Sequence, residues 1–347
     1  MKSSMYRAAL CACLAVAAFL PLASQAAESV EDFYKKNNQV RFLIPVGPGS
    51  SHEVWARLLG AHWSKRIPGK PTFVIQSMLG GGGLTLANYM QEQAPRDGTV
   101  IGVISSSIPT QIVMGVPNAN LKPTEVGWIG SPEASDQACV VNKKSGITSV
   151  QDVMTREEPL GTTGPSNSAS FIPKLINVVA GTKFKFIEGY KDSAEIWLAL
   201  DRGEVSGTCA GAENFWRSPS LEKVQSGEFK LLFNTLSPKP NPKLPGVPSV
   251  FEFIKKAEDK ALYTFVTAGS QLGRPYFVPP GVPQDRLDAL RSTFAATMKD
   301  PEFLADAAKA KVDVDFVPGT ELATITKGLF ATPKDVVERA ATVMPKM

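Results

Sequence analysis

Histidine is almost missing from this 347-residue chain, which carries only His52 and His62. Neither sits in an HExxH frame, no GxSxG turn follows a strand pattern, and no cysteines show metal-ligand spacing. The common nucleophile–base and zinc chemistries therefore lack their residues, and both histidines read as structural. His52 is the exception to watch, because it opens the first helix and is placed to line a ligand site. Charge of one sign is also scarce: 37 Lys and Arg stand against 33 Asp and Glu, a net +4. The basic residues are scattered among acidic ones, so no nucleic-acid footprint forms. Beyond the first 26 residues there is no second long apolar run, no low-complexity stretch and no short-period repeat.

What is present begins with a leader pattern. Lys2 and Arg7 precede an apolar run from Ala8 to Ala23, and Ser24 and Ala26 supply the small pair of a secretory signal cut after Ala26. Pro21 breaks the run, which falls short of the roughly 20 apolar residues a crossing helix needs. Cys11 and Cys13 lie inside the run, so a lipid-modified cysteine is not expected. The rest of the chain has the length of two compact lobes and is expected outside the cytoplasm. Only Cys139 and Cys209 survive cleavage, in a compartment where disulfides persist. They are either one bridge or two buried thiols acting as small apolar residues. A bridge would close a loop of about 70 residues and contribute ~4 kcal/mol in the chain-entropy account.

Val40 to Pro45 is a nearly unbroken apolar run, as expected for a strand buried on both faces. Gly47 to Ser51 ends it. Val54, Trp55, Leu58, Leu59, His62 and Trp63 then recur at helical spacing until Pro68 and Gly69. Thr72 to Gln76 reads as a strand, Gly80 to Gly83 as a turn, Leu84 to Glu92 as a helix and Val100 to Ile104 as a strand. This alternation predicts an α/β lobe with a mainly parallel sheet and right-handed crossovers. The same grammar restarts after Asp136, with Ala138 to Asn142 a strand, Leu160 to Ser170 a turn-rich loop and Phe171 to Ala180 a helix. Phe184 to Ile187 and Val205 to Thr208 read as further strands around a helix through Ile196, Trp197 and Leu200. Prolines crowd Ser237 to Pro248 as a surface loop. After it, Phe277 to Pro283 leads into a helix bearing Leu287, Leu290, Phe294 and Met298, and Asp300-Pro301 opens another. The expected organisation is leader 1–26, first lobe 27–134, second lobe 135–269, and a return to the first lobe with C-terminal helices over 270–347. Crossing strands near Ser135 and Ser270 would form the hinge.

Three glycine- or hydroxyl-rich turns each precede a helix: Gly47 to His52, Gly80 to Gly83, and Gly161 to Ser170. In parallel α/β sheets such turns gather at the carboxyl ends of the strands. Unpaired amides at a helix start, aligned with its dipole, suit an anion, and glycine lets that anion approach the backbone. Hydroxyls of Ser50, Ser51, Ser106, Ser107, Thr162, Thr163, Ser166 and Ser168 add directional contacts, so a carboxylate is the natural guest. A dinucleotide fingerprint is disfavoured by Pro48 and the missing third glycine. The five tryptophans, Trp55, Trp63, Trp128, Trp197 and Trp216, read as core, although an aromatic ligand would want one of them in the cleft.

Many collinear segments carry a resemblance: VRFLIPVGPGSSHEVWARLL, MLGGGGLTLANYM followed by APRDGTVIGV, GTTGPSNSAS, GYKDSAEIWLALDRGEVSG, LPGVPSV and FVPPGVPQDRLDALR. Over nearly the whole mature chain they resemble the extracytoplasmic receptors of tripartite tricarboxylate transporters, the TctC-like or Bug proteins. The resemblance implies a two-lobed periplasmic-binding-protein fold of type II-like topology, monomeric, without cofactor, metal or catalysis. It implies a cleft that closes by a hinge around a small di-, tri- or aromatic carboxylate for delivery to membrane permease subunits. Carried over residue by residue, the site comprises Gly49, Ser50, Ser51 and His52, then Gly81, Gly82 and Gly83. In the second lobe it comprises Thr163, Gly164, Ser166 and Ser168, with Tyr190 and Lys191. Ser50, His52 and Glu53 depart from the glycine, threonine and aspartate more usual there. Arg274 is either a bidentate partner for a second carboxylate or a hinge salt bridge. The rival readings are a receptor informing a sensor kinase and, further off, a periplasmic hydrolase or dehydrogenase.

Overall fold

Buried strands joined by amphipathic helices build two separate sheets. The computed structural model describes residues 28–47, 50–134, 137–162, 168–190, 193–211, 220–238 and 244–343; the segment read as a leader lies outside them. The chain begins with α1 (Val30–Lys36), β1 (Gln39–Ile44), α2 (Ser51–His62), β2 (Thr72–Ser77), α3 (Leu84–Glu92), β3 (Val100–Val103), α4 (Ile108–Val113) and β4 (Gly127–Ser131). It continues through β5 (Gln137–Asn142), α5 (Val150–Thr155), β6 (Glu158–Gly161), α6 (Ser168–Ala180), β7 (Phe184–Ile187), α7 (Ser193–Arg202), β8 (Gly207–Gly211), α8 (Ser220–Gln225) and β9 (Phe229–Asn234). A long helix, α9 (Ala257–Gln271), leads to β10 (Tyr276–Val278), α10 (Gln284–Thr297), α11 (Pro301–Lys309), β11 (Val317–Pro318), α12 (Gly319–Phe330) and α13 (Lys334–Val343). Among the described residues no helix is long and apolar enough to cross a membrane.

The first sheet has the order β11-β4-β10-β3-β1-β2 and the second β7-β6-β8-β5-β9. In the first, β1 runs parallel to β2 and β3, while β10 runs against β3 and β4, and β11 against β4. Strands β1 to β4 therefore share one direction. In the second, β6 is parallel to β7 and β8, and β5 alone runs against its neighbours β8 and β9. Both sheets are thus mixed rather than mainly parallel. Most strands share one direction, but the reversed strands β10, β11 and β5 make three of five pairings in the first sheet and two of four in the second antiparallel. The whole second sheet lies in the chain between β4 and β10.

Each sheet is covered on both faces, which is why its strands read as continuous apolar runs. Along β1, Phe42 and Ile44 enter a core with α2 and α10, while Leu43 enters the opposite core with α3 and α12; successive side chains point to opposite faces of a pleated strand. The α2 stripe read from spacing buries Trp55, Leu59 and Trp63 completely. Phe42 stacks between Phe73 and Tyr276 at 5.1 and 5.3 Å, and Trp63 meets Phe73 and Phe294 edge-on at 5.1 and 4.9 Å. In the second sheet Cys139 and Val141 face one core and Ala138 and Val140 the other. Cys139 lies directly opposite Cys209 across β5 and β8, with Cα atoms 3.9 Å apart, and the two are joined by a disulfide. Leu329 of α12 and Val336 and Ala340 of α13 also enter the core under the second sheet. There Arg339 of α13 pairs with the largely buried Asp259 of α9 at 2.5 Å.

Two local expectations change. The stretch from Leu160, expected as loop, begins inside β6, and Ser270 lies in the last turn of α9 rather than in an extended crossing strand. Ser135 lies outside the described residues.

Candidate functional site

Because β1, β2 and β3 run the same way, the segments leaving them gather at one edge of the first sheet. They touch there: a Cβ on Gly83 would lie 3.4 Å from Pro45 Cβ after β1 and 3.9 Å from Ile108 Cδ1 at the start of α4. The segment after β2 is the most distinctive backbone in the protein. Gly80, Gly81, Gly82 and Gly83 have φ of +124, +56, +63 and +104° in succession. Only glycine takes such values without strain. Gly81 and Gly82 are exposed, nothing lies within 4 Å of a Cβ placed on Gly82, and their amides stand at the unpaired start of a short helical turn leading into α3. Free amides at such a helical start suit an anion.

Beside it, Ser50 caps α2 in an extended conformation, its Oγ accepting from the Glu53 amide at 3.3 Å. Exposed Ser51 and half-buried His52 open the helix; Gly49 lies outside the described residues. Ser107 is engaged locally, its Oγ 3.0 Å from Ser105 Oγ and accepting from Gln111 Nε2 at 3.1 Å. The Ser106 carbonyl would be 3.1 Å from a Cβ on Gly269, so α9 approaches this segment closely. Arg274, just before β10, reaches the same edge. Its Nη2 donates to Ser51 Oγ at 3.2 Å and meets Glu133 Oε1 at 2.8 Å, while Nε donates to that oxygen at 3.1 Å. Glu133 Oε2 accepts from Trp55 Nε1 at 2.8 Å. Between the two readings of Arg274, an ion pair within the chain is the one present. The glutamate was invisible to pattern reading, since 141 positions separate the partners and no spacing rule links them.

Burial and then the Arg274 charge hold His52 down to about 4 from an ordinary 6.5. It is therefore a neutral donor–acceptor at physiological pH. Its folded value lies below its unfolded one, so as pH falls from about 6.5 toward 4 the unfolded chain takes a proton the folded chain refuses. Stability from this group is present above that window and lost within it. Melting temperatures measured between pH 7 and 4.5 should fall on acidification, and His52→Gln should flatten part of that slope; an unchanged slope would show that His52 is not the group responsible.

In the second sheet, the carboxyl ends of β6, β7, β8 and β9 share one edge. Three buried side chains there leave polar atoms without partners: Thr162 Oγ1, Ser170 Oγ and both amide atoms of Asn234. Buried polar groups without partners are uncommon, so each calls for an explanation. Ser170 and Asn234 were not singled out from sequence; a polar residue ending an apolar strand, as in Phe233-Asn234, is the signal that could have found the second. Tyr190 follows β7 and packs half-buried against that core. Thr163, Gly164, Ser166 and Lys191 lie outside the described residues, and of Ser168 only its place at the start of α6 is described.

The remaining groups have structural roles. His62 Nε2 bonds Asp306 Oδ2 at 3.0 Å and its ring meets Phe303 edge-on. Ligand atoms of His62, Asp300 and Glu302 lie within 4.8 Å of one another. Asp300, however, is already occupied, capping α11 and pairing with Arg66, and a helix start repels a cation. Trp55, Trp63 and Trp128 are fully buried and Trp197 stacks on Phe229; Trp216 lies outside the described residues.

Among solved structures, a TctC solute-binding protein from Polaromonas without ligand is similar, with a TM-score of 0.68 and 16% identity over 87% of this chain and 98% of the other. Rpa4515 from R. palustris with adipate gives 0.52 and 20% over 87% and 97%, and MatC from Rhodopseudomonas palustris with bound malate gives 0.50 and 17% over 86% and 98%. At these identities the likeness establishes the two-lobed α/β fold. No curated protein matches by sequence. The model of the TctC family, the tripartite tricarboxylate transporter family receptor, matches residues 56–339. The chain belongs to this family of solute-binding receptors.

Proposed function

We propose that this protein is an exported, periplasmic receptor that captures a small carboxylate between its lobes and delivers it to the membrane permease of a tripartite transporter, without chemistry on the ligand. The observation that carries this reading is the run Gly80 to Gly83, positive in φ throughout and exposed over its first three residues, where it meets Pro45 at the end of β1. That arrangement offers backbone amides and a helix dipole to a carboxylate. Ligand seats first on this edge. The second-lobe hydroxyls and the Asn234 amide then supply contacts that exist only when the lobes approach, and such differential contacts are what drive hinge closure. Relatives in the same fold hold malate and adipate, in keeping with a carboxylate guest. The family's transport role supports a permease partner.

A ligand that binds only the folded state raises the melting temperature by mass action. Carboxylic acids of graded length, charge and aromaticity, screened by thermal shift after removal of copurified ligand, should give a rise confined to one chemical series. No rise with any acid would sink the carboxylate assignment.

A further inference from the structure

The chain passes between its two sheets twice, leaving the first through the segment that starts at Pro132 after β4 and returning through 272–275 after α9. Glu133 lies in the first passage and Arg274 in the second. They are held together by backbone as well as by charge: Gly273 has φ +60°, and a Cβ there would stand 1.7 Å from the Glu133 carbonyl oxygen. Ser131 Oγ accepts from the Arg274 amide at 2.8 Å and donates to the Glu133 carbonyl at 2.6 Å. The guanidinium edge formed by Nε and Nη2 is the edge that grips a carboxylate as a fork. Here that edge is filled by Glu133 and Ser51. The side chain of Arg274 is only 11% exposed, and its remaining nitrogen, Nη1, is buried and has no partner.

We propose that Glu133 is a specificity-determining residue: it stands on Arg274 in the place of a second ligand carboxylate, so that the receptor selects acids with one carboxylate over acids with two. The inference rests on the carboxylate-receptor reading and refines it. A first carboxylate seats on the glycine turn. A second one reaching the start of α2 meets a corner whose charge is already balanced. His52 there is neutral, Arg57 is paired with Glu53 at 2.5 Å, and the Glu133 carboxylate would repel it. Nη1 and the equally unpartnered, buried Tyr276 hydroxyl suit an uncharged oxygen, such as a hydroxyl or keto group, better than a second anion.

The test compares matched acids, hexanoate with adipate and butyrate with succinate, by calorimetry on the purified protein and on Glu133→Gln. The native protein should bind the monocarboxylate of each pair more tightly. Glu133→Gln frees the Arg274 fork and should shift the affinity ratio toward the dicarboxylate by at least about tenfold, while Glu133→Asp, which keeps the charge, should leave it near native. The Gln variant strands either the Trp55 indole or the guanidinium, so if circular dichroism shows it unfolded, the Trp55→Phe, Glu133→Gln double variant replaces it. A merely structural role lowers both affinities together, and an unchanged ratio in a folded variant overturns the proposal. A native preference for adipate over hexanoate overturns it as well. Failure of all four acids to bind either protein would overturn this inference, which needs an aliphatic acid as guest, while the carboxylate-receptor reading is struck only if the wider thermal-shift series also gives no rise.

Discussion

Gly82→Val should abolish ligand binding while leaving the fold in place. Gly82 sits at φ +63° with open space where a Cβ would go, so the added side chain collides with nothing. The backbone is the difficulty. A β-branched residue in the left-handed region is disfavoured by about 1–2 kcal/mol from its own backbone contacts, so the turn relaxes to an ordinary conformation. The amides of Gly81 and Gly82 then no longer keep their native directions. Losing two hydrogen bonds to a charged group costs about 1.5–3 kcal/mol each, enough to weaken binding by at least 100-fold. Calorimetry should therefore lose the binding heat, while the far-ultraviolet spectrum stays native and the melting temperature moves little. Unchanged affinity would remove this turn from the site and with it the main support for the carboxylate reading.

Trp63→Ala should do the reverse, costing stability before it touches the site. Trp63 is fully buried where Phe42, Phe73 and Phe294 converge, and its Nε1 donates to Thr293 Oγ1 at 3.0 Å. Truncation opens a cavity between α2, β2 and α10, for which about 3–5 kcal/mol is the usual cost of a buried tryptophan. At a few degrees per kcal/mol for a chain of this size, a melting temperature drop on the order of 10 °C should follow. A drop of a degree or two would mean that the aromatic cluster repacks and that this lobe is held elsewhere.

These two sites were not equally legible in the sequence. The helix Leu84 to Glu92 was read with its observed limits, and α2 with its buried stripe, because glycine and proline punctuate both and their apolar residues keep helical spacing. The glycine turn was legible for the same reason: four glycines in a row have few other uses. β6 was missed, since Pro159 within Glu158–Gly161 argues against a strand with neighbours on both sides. It nevertheless pairs with β7 along its length, while its ladder to β8 is the single pair at Leu160, with a Thr208 side-chain bond to the Gly161 carbonyl beside it, so the missing amide is tolerated. β10 and β11, of three and two residues, are shorter than any period can reveal. The Arg274 corner failed for another reason. An ion pair between distant segments obeys no local rule; only the meeting of the two inter-sheet passages creates it, and topology had to be known first.

The two C-terminal helices give the protein an order of assembly. Cys139 and Ala340 belong to one hydrophobic core although about 200 positions separate them. Every strand of the second sheet leaves the ribosome well before α13 does. During that interval the apolar face that Leu329, Val336 and Ala340 will cover stays open to water or to a helper. The core of the inserted lobe is thus completed only when the chain returns to it, and α12 and α13 close it like a cover fitted after the shell.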